Sequence, residues 1–141
     1  MAFLLDTNVV SELRRRSPDP RVVAWHTAHA DVDAYLSVLV VGEVRAGIEK
    51  LRPKDGEHAE RLEVWLDGLV TGYRDRILPV TSEIAQEWGR LNVVRRPPAV
   101  DGLIVATAKV HRLTLVTRNV AYVTGCDVPV VDPFASPVAP A

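Results

Sequence analysis

Apolar residues are grouped along this chain in two patterns, short uninterrupted runs and longer segments with helical spacing. The short runs predict buried strands. They cover residues 2–5, 34–37, 77–80, 113–117 and 128–131. The helical spacing predicts helices just after Asp6, at residues 21–30, 38–51, 57–73 and 99–111, and between Thr81 or Ser82 and the prolines at 97–98. This alternation predicts an α/β protein with three layers, α/β/α, whose sheet has four to five mostly parallel strands.

The length and composition of the chain fit one folded unit. Its 141 residues, 48% of them hydrophobic, are enough to bury one core. We expect a single domain over residues 1–134 and a short, loose tail rich in Pro and Ala over residues 135–141. The single cysteine, Cys126, excludes an internal disulfide and a thiolate zinc site.

The chain shows no pattern typical of export or of membrane insertion. A charged residue already stands at position 6, which argues against a signal peptide. No apolar run approaches the length of a membrane-spanning helix. We therefore expect a cytoplasmic protein that has no membrane segment.

Two acidic positions stand out because of where they fall in the predicted elements. Asp6 ends the first apolar run, so it lies at the carboxyl end of a strand, where open parallel sheets bind ligands. It is equally placed to do no more than cap the following helix. Glu43 is the first charged residue after an uncharged stretch from Ala34 to Gly42, so we expect a buried carboxylate that needs Arg45, another arginine or a metal ion as its partner.

Asp101 is the third candidate acid. It is the only acidic residue in the apolar helix predicted at residues 99–111, and it lies in the first turn. An acid there is stabilised by the helix dipole, by about 0.3–1 kcal/mol, which explains the residue type without a functional role. Because strand ends and helix starts converge at one edge of this fold, we expect Asp6, Glu43 and Asp101 to meet. Their carboxylates would repel one another, and a hard cation such as Mg²⁺ or Mn²⁺ relieves that repulsion.

Four segments of the chain resemble, in order, the signature segments of the PIN-domain ribonucleases: LLDTNVVSEL, SVLVVGEVRAGIEKL, PPAVDGLIVATAKVH and LTLVTRNV. They most resemble the toxin members of bacterial VapBC-type toxin–antitoxin pairs. The resemblance implies a parallel sheet and an endoribonuclease site that depends on Mg²⁺ or Mn²⁺. It also implies a homodimer, and inhibition by a cognate VapB-like antitoxin within a larger toxin–antitoxin assembly.

The resemblance carries over to individual positions. Asp6, Glu43 and Asp101 match the first three acids of the family, and Thr117 matches a neighbouring polar position whose hydroxyl orients a ligand or a metal-bound water. Asn119 falls where many members have a fourth acid. An amide oxygen can coordinate a metal but adds no charge, so we expect a second metal to bind weakly here.

The basic residues of the chain bear on how it holds RNA. The net charge is −1, so any contact with RNA must use local patches. The arginines close in sequence to the candidate acids are Arg14, Arg15, Arg16, Arg95, Arg96 and Arg118. They could hold an RNA backbone around an acidic cleft, and each cluster is equally well explained as solvated surface.

Two other classes of function remain open. One is a PIN-like domain that binds RNA or a partner without cutting, which Asn119 favours. The other is a phosphatase-like hydrolase with Asp6 as its nucleophile, which the asparagine at position 8 disfavours because that chemistry calls for a second acid there. For the antitoxin, we expect a groove walled by the helices at residues 21–30 and 57–73. Trp25 and Trp65 are either anchors in this groove or core residues.

Overall fold

A computed structural model of the chain describes residues 1–94 and 96–135. The strands are β1 (Ala2–Leu5), β2 (Asp33–Ser37), β3 (Ile77–Leu78), β4 (Thr114–Val116) and β5 (Val130–Val131). The helices are α1 (Thr7–Arg14), α2 (Pro20–Ala28), α3 (Val38–Leu51), α4 (Gly56–Tyr73), α5 (Ser82–Val94) and α6 (Ala99–His111), with single 3₁₀ turns at Arg74–Arg76 and Val120–Tyr122. Most of the tail predicted at residues 135–141 lies outside the described residues, as does Arg95.

The five strands form one sheet in the order β3–β2–β1–β4–β5, and every neighbouring pair is parallel. β1 lies in the middle, where Leu4 pairs with Tyr35 of β2 and with Leu115 of β4. Since all strands run the same way, their carboxyl ends share one edge of the sheet. The predicted fold class, a three-layer α/β/α arrangement around a parallel sheet, is confirmed.

β1 and α6 supply the centre of the core. Phe3, Leu4 and Leu5 are all buried, as a strand covered on both faces requires. Residues 104–108 of α6 are buried without a break, which matches the apolar composition of this helix. α5 packs along α6, so the start of α6 is held between the sheet and a second helix.

Polar residues at the ends of β1 and β2 turn the chain directly into helices. The Asp6 side chain accepts a hydrogen bond from the N–H of Thr7, and the Ser37 side chain accepts one from the N–H of Leu39. α6 starts differently, because Pro98 precedes it and provides no side-chain cap. The first turns of α1, α3 and α6 therefore begin at or near the carboxyl edge of the sheet.

A network of ion pairs joins α3 to α4. Arg45 pairs with Glu49 and Glu63, and Arg52 pairs with Glu49, Glu60 and Glu63. These contacts hold the pKa of Glu49 at about 2, chiefly because the Arg52 guanidinium donates hydrogen bonds to it.

No helix within the described residues has both the length and the apolar character needed to cross a bilayer.

Candidate metal centre at the carboxyl edge of the sheet

Asp6 is a buried carboxylate at the carboxyl end of β1, with 5% of its surface exposed. Its Oδ1 accepts a hydrogen bond of 2.8 Å from the Thr7 N–H, and its Oδ2 accepts one of 2.8 Å from the Thr117 hydroxyl. The main-chain N–H of Asp6 donates to Val116 of β4. Asp6 thus caps α1 and also faces the site. Its position is therefore compatible both with capping the helix and with binding a ligand.

Thr117 follows β4 directly and is almost fully buried. Its N–H donates to the carbonyl of Val131 in β5, which fixes its main chain to the sheet. Its hydroxyl oxygen accepts a hydrogen bond of 3.0 Å from the Asn119 N–H while it donates to Asp6. Thr117 therefore orients the Asp6 carboxylate, and it also stabilises the turn that carries Asn119.

Asn8 is a site residue that the sequence analysis missed. Its Nδ2 lies 3.3 Å from the Thr117 hydroxyl and 3.4 Å from Asp6 Oδ2, and its Oδ1 accepts a hydrogen bond of 3.1 Å from the Arg118 N–H. The only signal in the sequence is its place two residues after Asp6. Its main partners are 109 and 110 positions away, so only the three-dimensional arrangement reveals them.

Asp101 lies in the first turn of α6 and is partly buried. Burial raises the pKa of its carboxyl above the ordinary value, and the negative charges of Asp6 and Glu43 raise it further. Among the residues that the structure describes, none donates a hydrogen bond to this carboxylate. Asp101 is therefore an acid whose charge is opposed by its surroundings, as expected of a group that pairs with a cation.

Packing against α5 fixes the turn that carries Asp101. A Cβ atom placed on Gly102 would lie 3.0 Å from Trp88 Cδ1, 3.1 Å from Trp88 Nε1 and 3.2 Å from Pro97 Cγ. These distances are shorter than ordinary van der Waals contacts, so a side chain at position 102 would require the indole to shift by a few tenths of an ångström. The first turn of α6 therefore packs directly against the Trp88 indole ring.

Glu43 is the residue whose environment differs from the expectation. We expected a buried carboxylate, but Glu43 is exposed on α3, whose buried side chains are those of Val40, Val44 and Ile48. Arg45 is not its partner either, since it pairs with Glu49 and Glu63. Instead Glu43 Oε1 accepts a hydrogen bond of 2.6 Å from the Thr7 hydroxyl, one residue after Asp6.

A recess at the carboxyl edge of the sheet brings together four of the five predicted catalytic residues. Its polar lining consists of Asp6, Asp101, Thr117 and Asn119. The remaining wall is apolar and comes from Ile104, Val105, Leu115, Tyr122 and Val123. Glu43 is not part of this lining, but its charge acts on Asp101.

The oxygen donors of this recess fit a hard divalent cation. In residues 1–94 and 96–135, no three Asp, Glu, His or Cys side chains lie close enough together to enclose an ion by themselves. Mg²⁺ in proteins is often held by one or two carboxylates, while waters and substrate phosphates complete its coordination. Asp6 and Asp101 are the residues that would hold such an ion, and Glu43 would add negative charge beside it.

The predicted RNA-binding arginines have varied surroundings. The Arg14 guanidinium lies over the Trp65 ring, 5.6 Å from its centroid, and Arg15 pairs with Glu12. The Arg118 guanidinium lies over the Phe134 ring at 4.5 Å. Arg16 and Arg96 are exposed, as is Arg118. Arg118, next to Asn119, is thus the predicted RNA-binding arginine that the chain itself places beside the recess.

Trp25 and Trp65 are both packed against neighbouring side chains. Trp25 is buried and contacts the rings of Phe3 and His29, with ring centroids 5.0 Å and 4.9 Å away. Trp65 is partly buried and is covered by Arg14. These contacts favour the core role for Trp25. Trp65 would become available to a partner only if Arg14 moved.

Comparisons with known proteins agree with this geometry. Residues 3–122 match the family model described as PIN domain. The chain is 39% identical over 140 residues to toxin FitB of Neisseria gonorrhoeae, an alignment that covers 94% of this chain and 98% of FitB. It is 28% identical over 138 residues to VapC ribonuclease Y4jK of Sinorhizobium fredii, with 94% and 97% covered.

Solved structures lead to the same family. The crystal structure of FitAcB from Neisseria gonorrhoeae superposes with a TM-score of 0.85 at 35% identity and covers 94% of this chain and 99% of its own. A chain of the toxin–antitoxin complex from Klebsiella pneumoniae superposes with a TM-score of 0.64 at 26% identity, with 94% and 98% covered. Together with the family model that spans residues 3–122, these likenesses show that the chain belongs to the PIN-domain family.

Proposed function

We propose that this protein is an endoribonuclease that depends on Mg²⁺ or Mn²⁺ and acts as the toxin of a type II toxin–antitoxin pair in the cytoplasm. The observation that carries the proposal is the recess at the carboxyl edge of the sheet, which Asp6 and Asp101 line together with Thr117 and Asn119. The name of the Sinorhizobium relative, a VapC ribonuclease, supports the same activity.

The chain's own residues divide the work of this site. Asp6 and Asp101 would hold the divalent ion, and Glu43 would contribute further negative charge. Thr117 holds the Asp6 carboxylate in one orientation through its hydrogen bond of 2.8 Å. Arg118, exposed beside Asn119, is placed to contact a phosphate of the RNA backbone. A bound Mg²⁺ or Mn²⁺ would supply an activated water and would neutralise charge at the phosphorus under attack.

A cleavage assay with single-residue variants tests this proposal. Purified protein should cleave RNA only when Mg²⁺ or Mn²⁺ is present. Asp6→Asn and Asp101→Asn should each lower the rate by more than the roughly 10–100-fold typical of residues that only orient a metal ligand. Asp31→Asn is the matched control, because Asp31 is exposed in the turn before β2 and should be replaceable without loss.

The same assay separates the enzyme from a PIN-like domain that binds RNA without cutting. Asn119, in place of an acid, is the feature that favours the binding domain. RNA that stays intact with either metal, while it binds the protein in a gel-shift experiment, would reject the nuclease and establish the binding domain. Cleavage that persists in both acid variants would reject this recess as the active site.

We also propose that a VapB-like antitoxin inhibits this protein. The Klebsiella relative is described as part of a toxin–antitoxin complex. An Arg or Lys of the inhibitor that enters the recess beside Asp6 and Asp101 would compete with metal for the same charges. The apolar part of the antitoxin would need a surface on this chain. The depression between α3 and α4 offers Val41, Leu66 and Val70, with Arg45, Asp67 and Thr71 among its polar lining residues.

Co-expression tests this partnership and the proposed homodimer. The product of a neighbouring small reading frame should co-purify with this chain and abolish cleavage. Light scattering of the free protein should give twice the mass of one chain, and the complex should be larger. An excess of the small protein that leaves cleavage at full rate would exclude it as the inhibitor.

A further inference from the structure

The side chain of Asn8 connects the two chain segments that meet at the recess. It lies half-buried in the first turn of α1 and reaches both Asp6 and the turn that begins at Thr117. It does not cap α1, since Asp6 has that role. The geometry of the helix alone therefore gives no reason for an asparagine at this position.

The orientation of the Asn8 carboxamide follows from its partners. The main-chain N–H of Arg118 is a donor, so the atom of Asn8 that lies 3.1 Å from it must be the oxygen. The NH₂ group must then face the Thr117 hydroxyl and the Asp6 carboxylate, and both can accept a hydrogen bond. No other orientation satisfies all three contacts.

With the carboxamide in this orientation, the donor and the acceptor of each hydrogen bond between Asn8, Thr117 and Asp6 are defined. A hydroxyl has one proton and two lone pairs. The oxygen of Thr117 already accepts from the Asn119 N–H and from Asn8 Nδ2, so its single proton is directed at Asp6 Oδ2. The chain of donors thus runs from Asn8 through Thr117 to the carboxylate, and each bond polarises the next.

We propose that Asn8 is a positioning residue for the metal-binding carboxylate. Its amide group fixes the direction of the Thr117 hydroxyl, and its oxygen holds the Arg118 main chain so that Asn119 faces the recess. The inference rests on the proposed function, because it assigns Asn8 to the same divalent site. Groups that orient metal ligands in this way change metal affinity by about 10–100-fold when removed.

Two measurements on Asn8→Ala test the proposal, with Asn92→Ala as the matched control. Asn92 is also half-buried and lies on α5, away from the recess. The first measurement is amide hydrogen exchange by NMR in the absence of metal. The Arg118 amide should exchange faster in Asn8→Ala and should be unchanged in Asn92→Ala, because only the first variant removes the acceptor of this N–H.

The second measurement is calorimetric titration with Mn²⁺. Asn8→Ala should bind Mn²⁺ at least about tenfold more weakly than the parent, and Asn92→Ala should bind it equally well. A purely structural asparagine would lower the melting temperature of Asn8→Ala and leave its Mn²⁺ affinity intact, which would overturn the proposal. If Asn8→Ala does not fold, Asn8→Ser makes the same comparison, since a hydroxyl is too short to reach all three partners.

The outcomes separate this proposal from the proposed function. A parent protein that binds Mn²⁺ but leaves RNA intact rejects the nuclease, and the Mn²⁺ affinities of the variants still decide the role of Asn8. A parent protein that binds no Mn²⁺ rejects the positioning role, because Asp6 then has no ion to receive. Unchanged exchange at Arg118 in Asn8→Ala would also reject it.

Discussion

The Thr7 hydroxyl donates a hydrogen bond of 2.6 Å to Glu43 Oε1 and so ties the first turn of α1 to α3. Thr7 also donates its main-chain N–H to Asp6 Oδ1, so this one residue contacts two of the three candidate acids. The sequence analysis gave Thr7 no role. The contact explains how an exposed glutamate on α3 is directed toward the site.

Replacement of Thr7 by valine should release Glu43. The variant keeps the shape of the side chain but removes the donor, so we expect Mn²⁺ affinity to fall by roughly tenfold, as for other groups that orient a ligand. Thr27→Val is the control, since Thr27 is exposed on α2. Titration calorimetry on both variants is the measurement. Equal affinities would mean that the position of Glu43 does not matter for metal binding.

An acid at position 119 should strengthen metal binding. Asn119 lines the recess beside Asp6 and Asp101, so Asn119→Asp adds a negative charge where a cation is expected. We expect tighter Mn²⁺ binding or a second bound ion, measured by calorimetry. Asn92→Asp makes the same chemical change away from the site. An unchanged number of ions and an unchanged affinity in Asn119→Asp would contradict the prediction.

Removal of the Asp101 charge should stabilise the metal-free protein at neutral pH. The pKa of Asp101 is raised in the fold, so between the unfolded and folded pKa values the native state binds more protons than the unfolded state. Stability therefore falls as pH rises through this window, which begins near the ordinary value of 3.8. The Asp101→Asn variant has no carboxyl at this position and does not lose stability in this way. We therefore expect its melting temperature at neutral pH to be higher than that of the parent.

Thermal melts at several pH values provide the measurement. The advantage of Asp101→Asn should shrink as pH approaches about 4, where the parent carboxyl becomes protonated in both states. Added Mg²⁺ should raise the melting temperature of the parent and have less effect on the variant. A variant that melts lower than the parent at neutral pH would show that the charge of Asp101 is not opposed in the fold.

Two buried threonines allow a comparison of stability with activity. Thr117→Val removes the donor to Asp6 and leaves the Asn119 N–H without its acceptor, so we expect a loss of about 1–3 kcal/mol in stability and a large loss of cleavage. Thr107→Val removes one hydrogen bond to Leu103 within α6. It should cost some stability and leave cleavage intact. Equal cleavage by the two variants would place Thr117 outside the site.

The hydrophobic pattern predicted the framework well where one element is buried on all sides. The bounds of β1 and α6 match the observed ones, because β1 carries no charge and α6 is apolar at nearly every position between Asp101 in its first turn and Lys109 in its last. α3 also begins and ends where predicted, yet its environment was wrong at Glu43. Apolar composition shows that a helix can be buried, but small residues such as Gly42 and Gly47 give no sign of which face lacks a neighbour.

The positions of Asp6 and Asp101 at the edge of the sheet could be predicted from the sequence, and the hydrogen bonds around them could not. Asp6 and Asp101 were found because a carboxylate at the end of a buried element is costly. Asn8 and Thr7 are ordinary polar residues near a helix start, and their importance comes from partners far away in the chain. Hydrogen bonds between segments that are far apart in the chain produce no periodic pattern in the sequence.

The contact between Trp88 and Gly102 means that these two positions cannot vary independently. Any side chain larger than hydrogen at position 102 would meet the indole at about 3 Å, and the residue before it is Asp101. A library randomised at position 102 alone should therefore return glycine among active clones. One randomised at both positions should also return small residues at 102 paired with a smaller ring or an aliphatic side chain at 88. We expect natural relatives that have alanine or serine at the position of Gly102 to have a residue other than tryptophan at the position of Trp88.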